Sequence, residues 1–428
     1  MRTATLVICT VALFATGATV QAAVPIVTNV VASQQVSSKF VDIYYDVFDD
    51  DGDTLKIRVE ISDNGGNLYS VPAFSFTGDI GEGITPGANK YILWDAGTDW
   101  DGEYSDQMRV KVIAVDAQGL PGLEWGNEIP PGGFLMGQDG GAEGSGPSRH
   151  VNIPWSYWLS KYEIRNDQYA DFLNTALVAG EVWRDGTTYV RSFAGKYVGV
   201  PADQVLVTLG DVRDIIWNVN NFEVSEDRTN FPVRVTWYGA IAFAQHYGYD
   251  LPTEAEWEKA ARGPDHDDED EHQVYPWGDL IVNGNANYYS SGDPWTYAGG
   301  TYTGYRNTSP SGYYDGNQTP FGPDMANAYG LYDLVGNVCE WTRTVWANSI
   351  ESYQQQESLA APNNSLTGTS NYRVARGGCW ISGYTSSGSA YSKHLKIYER
   401  LQEWRYNDSG YSSSRPDMGF RVIRRDVP

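Results

Sequence analysis

Apolar and polar residues alternate along the first quarter of the chain. Val41-Asp42-Ile43-Tyr44-Tyr45-Asp46-Val47 and Lys56-Ile57-Arg58-Val59-Glu60-Ile61 place successive side chains on opposite faces, the pattern of half-buried strands. The acidic turn Asp49-Asp50-Asp51-Gly52-Asp53 joins them, and residues 108–115 repeat the alternation near the end of the region. Short strands separated by Gly/Asp turns predict an all-β sandwich of immunoglobulin or fibronectin type over residues 24–120. The spaced aspartates around Gly52 have the look of a calcium loop. No carboxylate follows at the distance a full loop needs, so a metal-free hairpin turn is expected there.

The pattern changes after a proline- and glycine-containing linker over 121–132. From Gly133 onward regular periodicity is sparse, and three helices are predicted. Over 165–177 the residues Tyr169, Phe172, Leu173 and Ala176 form an apolar stripe, with Asn166 as the candidate cap. A second helical pattern runs over 237–247. The third begins at Thr253, whose partner three residues on, Glu256, completes a capping box for 254–262. Residues 283–320, rich in Asn, Gly, Ser and Tyr, read as long ordered loops, and the run from His266 to His272 as a solvated one. The fold class that follows is α+β, a β-sandwich ahead of a loop-rich mixed domain over 133–425.

Charge narrows the function. Fifty-four acidic against 30 basic side chains give a net charge of −24, which repels phosphates and argues against nucleic-acid binding. The 30 tyrosines and 15 tryptophans suit a β-dominated, loop-rich chain with aromatic rings available for recognition. Residues 1–22 read as a signal peptide: a short basic start, an apolar run from Leu6 to Ala15 too short to span a bilayer, and Val20-Gln21-Ala22 as the cleavage site. The expected location is periplasmic or secreted, and no later stretch approaches membrane-spanning length. Cys9 leaves with the leader, so Cys339 and Cys379 remain.

The segment Asn327–Trp341 organises the rest. Gly330 and Gly336 bracket a short apolar run, and Asn337 and Glu340 lie three apart beyond the second turn. Such a turn can aim carbonyls, an amide oxygen and a carboxylate at a hard cation; from spacing alone, a metal-free turn is the stronger reading. Gly330-Leu331-Tyr332-Asp333-Leu334-Val335-Gly336-Asn337-Val338 with Glu340-Trp341 resembles the signature of the formylglycine-generating enzyme (sulfatase-modifying factor) family. Gly133-Phe134-Leu135-Met136-Gly137, Pro232 to Trp237, Leu251 to Gly263, Tyr275-Pro276-Trp277-Gly278, Arg376-Gly377-Gly378-Cys379-Trp380 and Gly419-Phe420-Arg421-Val422 stand in the family's order.

The resemblance implies a C-type-lectin-like fold. It also implies, for the enzymes, oxidation of a sulfatase cysteine to formylglycine with oxygen and a copper(I) ion held by two thiolates. The matching positions here are Ser382 and Ser387, and hydroxyls do not replace thiolates on copper(I), so copper is not expected. Trp341 matches an active-site tryptophan, with a core aromatic as the alternative. For structural calcium, Asn337 and Glu340 with the carbonyls of Val335, Gly336 and Val338 match one site. Asn287 and Tyr288 match half of a second, whose acidic partner near Thr303 is missing.

Cys339 and Cys379 both depart from the family pattern, which leaves a mutual disulfide and two buried thiols as alternatives. The expected function is an exported binding or accessory protein without the copper pair, with a protein or glycan ligand at or near the cell surface. The alternatives are an oxidoreductase of the formylglycine-generating type, including one with the site shifted to Cys339 and Cys379, and a lectin-like carbohydrate binder. Tyr384, Tyr391, Tyr398, Trp404, Tyr406 and Tyr411 are candidates for a recognition surface, with loop packing as the alternative.

Overall fold

A computed structural model describes residues 25–49, 52, 54–63, 65, 71–116, 120, 122–141, 145–210, 214–225, 227–264, 273–295, 307–347, 372–382, 394–404 and 417–426. Residues 1–22, Asp50, Asp51, Asp53, the 266–272 charge run, Thr303, Ser387, Tyr384, Tyr391, Tyr406 and Tyr411 lie outside the described residues.

The N-terminal strands are β1 (Ile26–Gln34), β2 (Phe40–Phe48), β3 (Leu55–Ser62), β4 (Phe76–Gly78), β5 (Gly81–Ile84), β6 (Gly87–Asp95) and, after the single turn α1 (Ala96–Asp99), β7 (Arg109–Asp116). They form two antiparallel sheets, ordered β1-β2-β6-β4 and β5-β3-β7. The predicted alternation is realised: Ile43, Tyr45 and Val47 of β2 and Leu55, Ile57 and Ile61 of β3 point into one apolar core with Ile92 and Trp94. Register puts Ile43 opposite Ile92 and Ile57 opposite Ala114, so inward side chains meet in pairs. Asp99 fastens the turn, accepting hydrogen bonds from the Phe74 and Ser75 backbone N–H groups and from the Trp94 indole.

Beyond the linker come β8 (Gly132–Met136), β9 (Arg149–Ile153), β10 (Ser156–Leu159), α2 (Asn166–Val178), β11 (Val182–Asp185), β12 (Tyr189–Ser192), β13 (Val205–Thr208), β14 (Ile215–Asn218) and β15 (Asn221–Val224). Then follow α3 (Trp237–His246), α4 (Glu254–Arg262), β16 (Cys339–Val345), β17 (Tyr372–Arg376), β18 (Leu401–Trp404), β19 (Met418–Gly419) and β20 (Ile423–Asp426). The strands make small sheets: β8-β9, β10-β20, β11-β12-β13, β14-β15 and the central β18-β17-β16-β19, in which β19 runs parallel to β16. The molecule is thus mostly β with few helices. No described helix is long and apolar enough to cross a membrane.

All three predicted helices are present, and one cap needs correction. Asn166 lies inside α2, where its amide donates to the Arg228 carbonyl; Arg165 holds the cap position, and its N–H donates to Gln168 Oε1 at 3.0 Å. The capping box of α4 forms as read: Thr253 N–H donates to Glu256 Oε2 at 2.8 Å, and Glu256 N–H donates to Thr253 Oγ1. Every residue of α4 is buried, including Glu254, Glu256 and Glu258. Burial alone would raise Glu256 and Glu258, but guanidinium partners outweigh it: Arg425 holds Glu256, and Arg262 and Arg376 hold Glu258, below the usual carboxylate range.

Candidate functional site

The motif loop ahead of β16 is built by close backbone approach. At Gly336, φ is +82° and a Cβ would lie 2.3 Å from the Asn287 carbonyl oxygen, so only glycine fits. Asn337 follows at φ 54°, a left-handed conformation that asparagine tolerates. Its N–H donates to the Asn287 carbonyl at 2.8 Å, its Oδ1 accepts from Ser309 N–H at 2.9 Å, and its Nδ2 donates to Glu163 Oε2 at 2.7 Å. Val338 N–H donates to the other Glu163 oxygen at 3.2 Å. Asn337 therefore ties Asn287 and Ser309 to Glu163.

Glu340, read above as a candidate calcium ligand, lies against an arginine. Its carboxylate takes Arg421 in a two-pronged pair at 2.6 and 2.7 Å and also accepts from the Trp257 indole at 2.6 Å. The Glu340 carboxylate and Asn337 Oδ1 thus each have hydrogen-bond partners within the protein. Of the other predicted ligands, Asn287 is fully buried and its Oδ1 has no hydrogen-bond partner. The Tyr288 hydroxyl meets Asn283 instead.

The unforeseen members of this region are Glu163, Asp333 and Arg421. Glu163 is buried, and burial together with Asp333 and Glu340 holds its carboxyl well above the usual range, against the pull of Arg421. Burial pushes Asp333 up to about 6, with Glu340 adding to the rise and Gly312 N–H and Arg421 opposing it. Three carboxyls thus share one guanidinium. A cavity of about 10 Å³, roughly the space of one water-sized particle, lies against Asp333, Asn285 and Val335. These oxygen donors suit calcium in kind, with Asp333 rather than Glu340 facing the available space. The sequence carried a signal for the cluster: Glu163 and Arg421 sit within the apolar runs Tyr162-Glu163-Ile164 and Phe420-Arg421-Val422, where a charge must find a partner.

A second cluster lies one residue away. Cys339, at the start of β16, Cys379, after the Gly377-Gly378 turn, and Asp417, before β19, bring their sulfur and carboxylate atoms within 4.8 Å of one another. Both cysteines are thiols. Ser382 Oγ accepts from Cys379 N–H at 3.0 Å and stands 3.7 Å from its sulfur. Trp341 is a core aromatic, buried, with its indole donating to the Val235 carbonyl at 3.0 Å. Tyr398 also packs inside, which removes it from the proposed recognition surface.

A family profile described as "Sulfatase-modifying factor enzyme 1-like domain" matches residues 127–426. The chain belongs to this family. This sulfatase-modifying-factor-like chain is 32% identical over 267 residues to the formylglycine-generating enzyme of Thermomonospora curvata, covering 59% of this chain and 81% of that protein. It is 30% identical over 315 residues to a Bos taurus protein named inactive C-alpha-formylglycine-generating enzyme 2, covering 70% and 90%. Among solved structures, PvdO from Pseudomonas aeruginosa aligns with a TM-score of 0.41 at 20% identity, over 70% of this chain and 93% of that one. Ser382, set against a thiolate position by the resemblance described above, is buried beside the Cys379 sulfur.

Proposed function

We propose that this chain is an exported, sulfatase-modifying-factor-like protein without the copper-binding cysteine pair, working as a binding or accessory protein. In this reading a fibronectin- or immunoglobulin-like sandwich precedes a C-type-lectin-like domain, and the ligand is a protein or glycan at or near the cell surface. The carrying observation is Ser382: an alcohol oxygen, already accepting the Cys379 N–H at 3.0 Å, occupies the first expected thiolate position. The likeness to a protein named inactive C-alpha-formylglycine-generating enzyme 2 supports the same direction. The second reading, cysteine oxidation in a sulfatase, draws on the relatives named formylglycine-generating enzyme.

Purified protein given copper(I) and a cysteine-containing sulfatase peptide decides between them by oxygen uptake. The proposal expects no uptake; turnover abolished by Cys379→Ser would reverse it. Structural calcium belongs to the same proposal, supported by the space beside Asp333 and by the excess of carboxyls around Arg421. Removing calcium with a selective chelator should then lower the melting temperature, and readdition should restore it; superimposable melts would remove calcium from the reading.

A further inference from the structure

We propose that Cys339, Cys379 and Asp417 form a binding site for a thiophilic divalent cation of the zinc class, beside Ser382 and independent of the binding role. The three donor atoms lie within 4.8 Å of one another, and all three residues are buried, at 1%, 3% and 5% exposure. Cys379 Sγ is 3.6 Å from Asp417 Oδ2. Two ligands of a tetrahedral zinc ion, with bonds of about 2.3 Å to sulfur and about 2.0 Å to oxygen, stand roughly 3.5 Å apart.

Each donor comes from a different segment, and the backbone fixes each one. Cys339 N–H donates to the Asp417 carbonyl at 2.7 Å, and Cys339 is in parallel register with Met418. The Cys379 turn is held by its own N–H on Ser382 Oγ and by Trp380 N–H on the Asn337 carbonyl at 2.9 Å. Ser382 Oγ adds a neutral oxygen 3.7 Å from the Cys379 sulfur. Two thiolates with a carboxylate match the mixed sulfur and oxygen preference of zinc, whereas copper(I) has no use for the hard third donor. Binding deprotonates both thiols, and the two protons pass to solvent.

The test uses the full chain under reducing conditions. Titration with Co²⁺ should give a thiolate-to-cobalt charge-transfer band that saturates at one ion per chain, and Zn²⁺ should bleach it with release of two protons per ion when Zn²⁺ binds the metal-free protein. Cys379→Ser should abolish the band, and Asp417→Asn should weaken Zn²⁺ at least about tenfold. Because wild-type protein alone gives the spectrum, misfolding of a variant does not blunt the result. Absence of the band in wild type overturns the proposal, as does Zn²⁺ affinity that Asp417→Asn leaves unchanged. A Cys339–Cys379 cross-linked peptide from protein purified and digested without reductant also overturns it.

Discussion

At the centre of the N-terminal sheets stand Ile43, Val47, Leu55 and Ile92; at the centre of the family domain stand Arg373, Arg376, Arg400 and Arg421, each fully buried. The difference follows from where the backbone hydrogen bonds go. In the paired sheets the strands satisfy one another, so hydrocarbon suffices inside. In the loop-rich domain many carbonyls have no ladder partner, and long cationic side chains reach them. Arg421 donates to the carbonyls of Ser160 and Tyr332, Arg376 to that of Ile397, Arg400 to that of Ala347, and Lys259 to those of Pro130 and Gly132. Three of these buried arginines are paired with a carboxylate: Arg421 takes Glu340, Arg400 takes Glu254, and Arg376 takes Glu258. Arginine here does the work of both a backbone cap and a counter-charge.

The strongest way to break this contrast is Arg421→Leu, which leaves Glu340 buried beside Glu163 and Asp333. A loss of about 3–5 kcal/mol is expected. Hydrogen exchange should rise in peptides spanning 254–262 and 332–345 while 40–62 stays protected; uniform change across both regions would dissolve the distinction. The mirror experiment is Ile43→Ala, expected to cost about 3 kcal/mol by opening a cavity between the N-terminal sheets, with the exchange pattern reversed. Thr253→Ala removes the α4 cap and should cost about 1 kcal/mol in urea unfolding.

The smallest and most specific effect concerns pH. Asp333 is raised from 3.8 to about 6 in the folded protein, so its contribution is fully present below pH 3.8 and is lost as pH rises through about 6. With calcium chelated, Asp333→Asn, which keeps a residue type suited to its φ of 56°, should therefore gain stability relative to wild type across that window. Melting curves of the two proteins at pH 4, 5 and 6 measure it, and parallel trends would show that Asp333 carries no such charge cost.

The alternating strands at 41–47 and 56–61 and the box at Thr253–Glu256 were legible because each depends on neighbours within a few residues. So was the need for glycine at the motif turn, although its reason, the Asn287 carbonyl, lay 49 residues away in the chain numbering from Gly336. The partner of Glu340 was not legible. Nothing in Glu340's surroundings distinguishes a calcium ligand from the counter-ion of an arginine 81 residues later.

The sequence by itself determined the strand periodicity, the helix starts, the family motifs and the hydroxyl at position 382, since all are local chemical facts. Tertiary structure decided which charges neutralise one another and that Cys339, Cys379 and Asp417 converge. Such pairings depend on how the chain closes over long separations, and a one-dimensional pattern carries no record of which of several buried charges ends up within bonding distance.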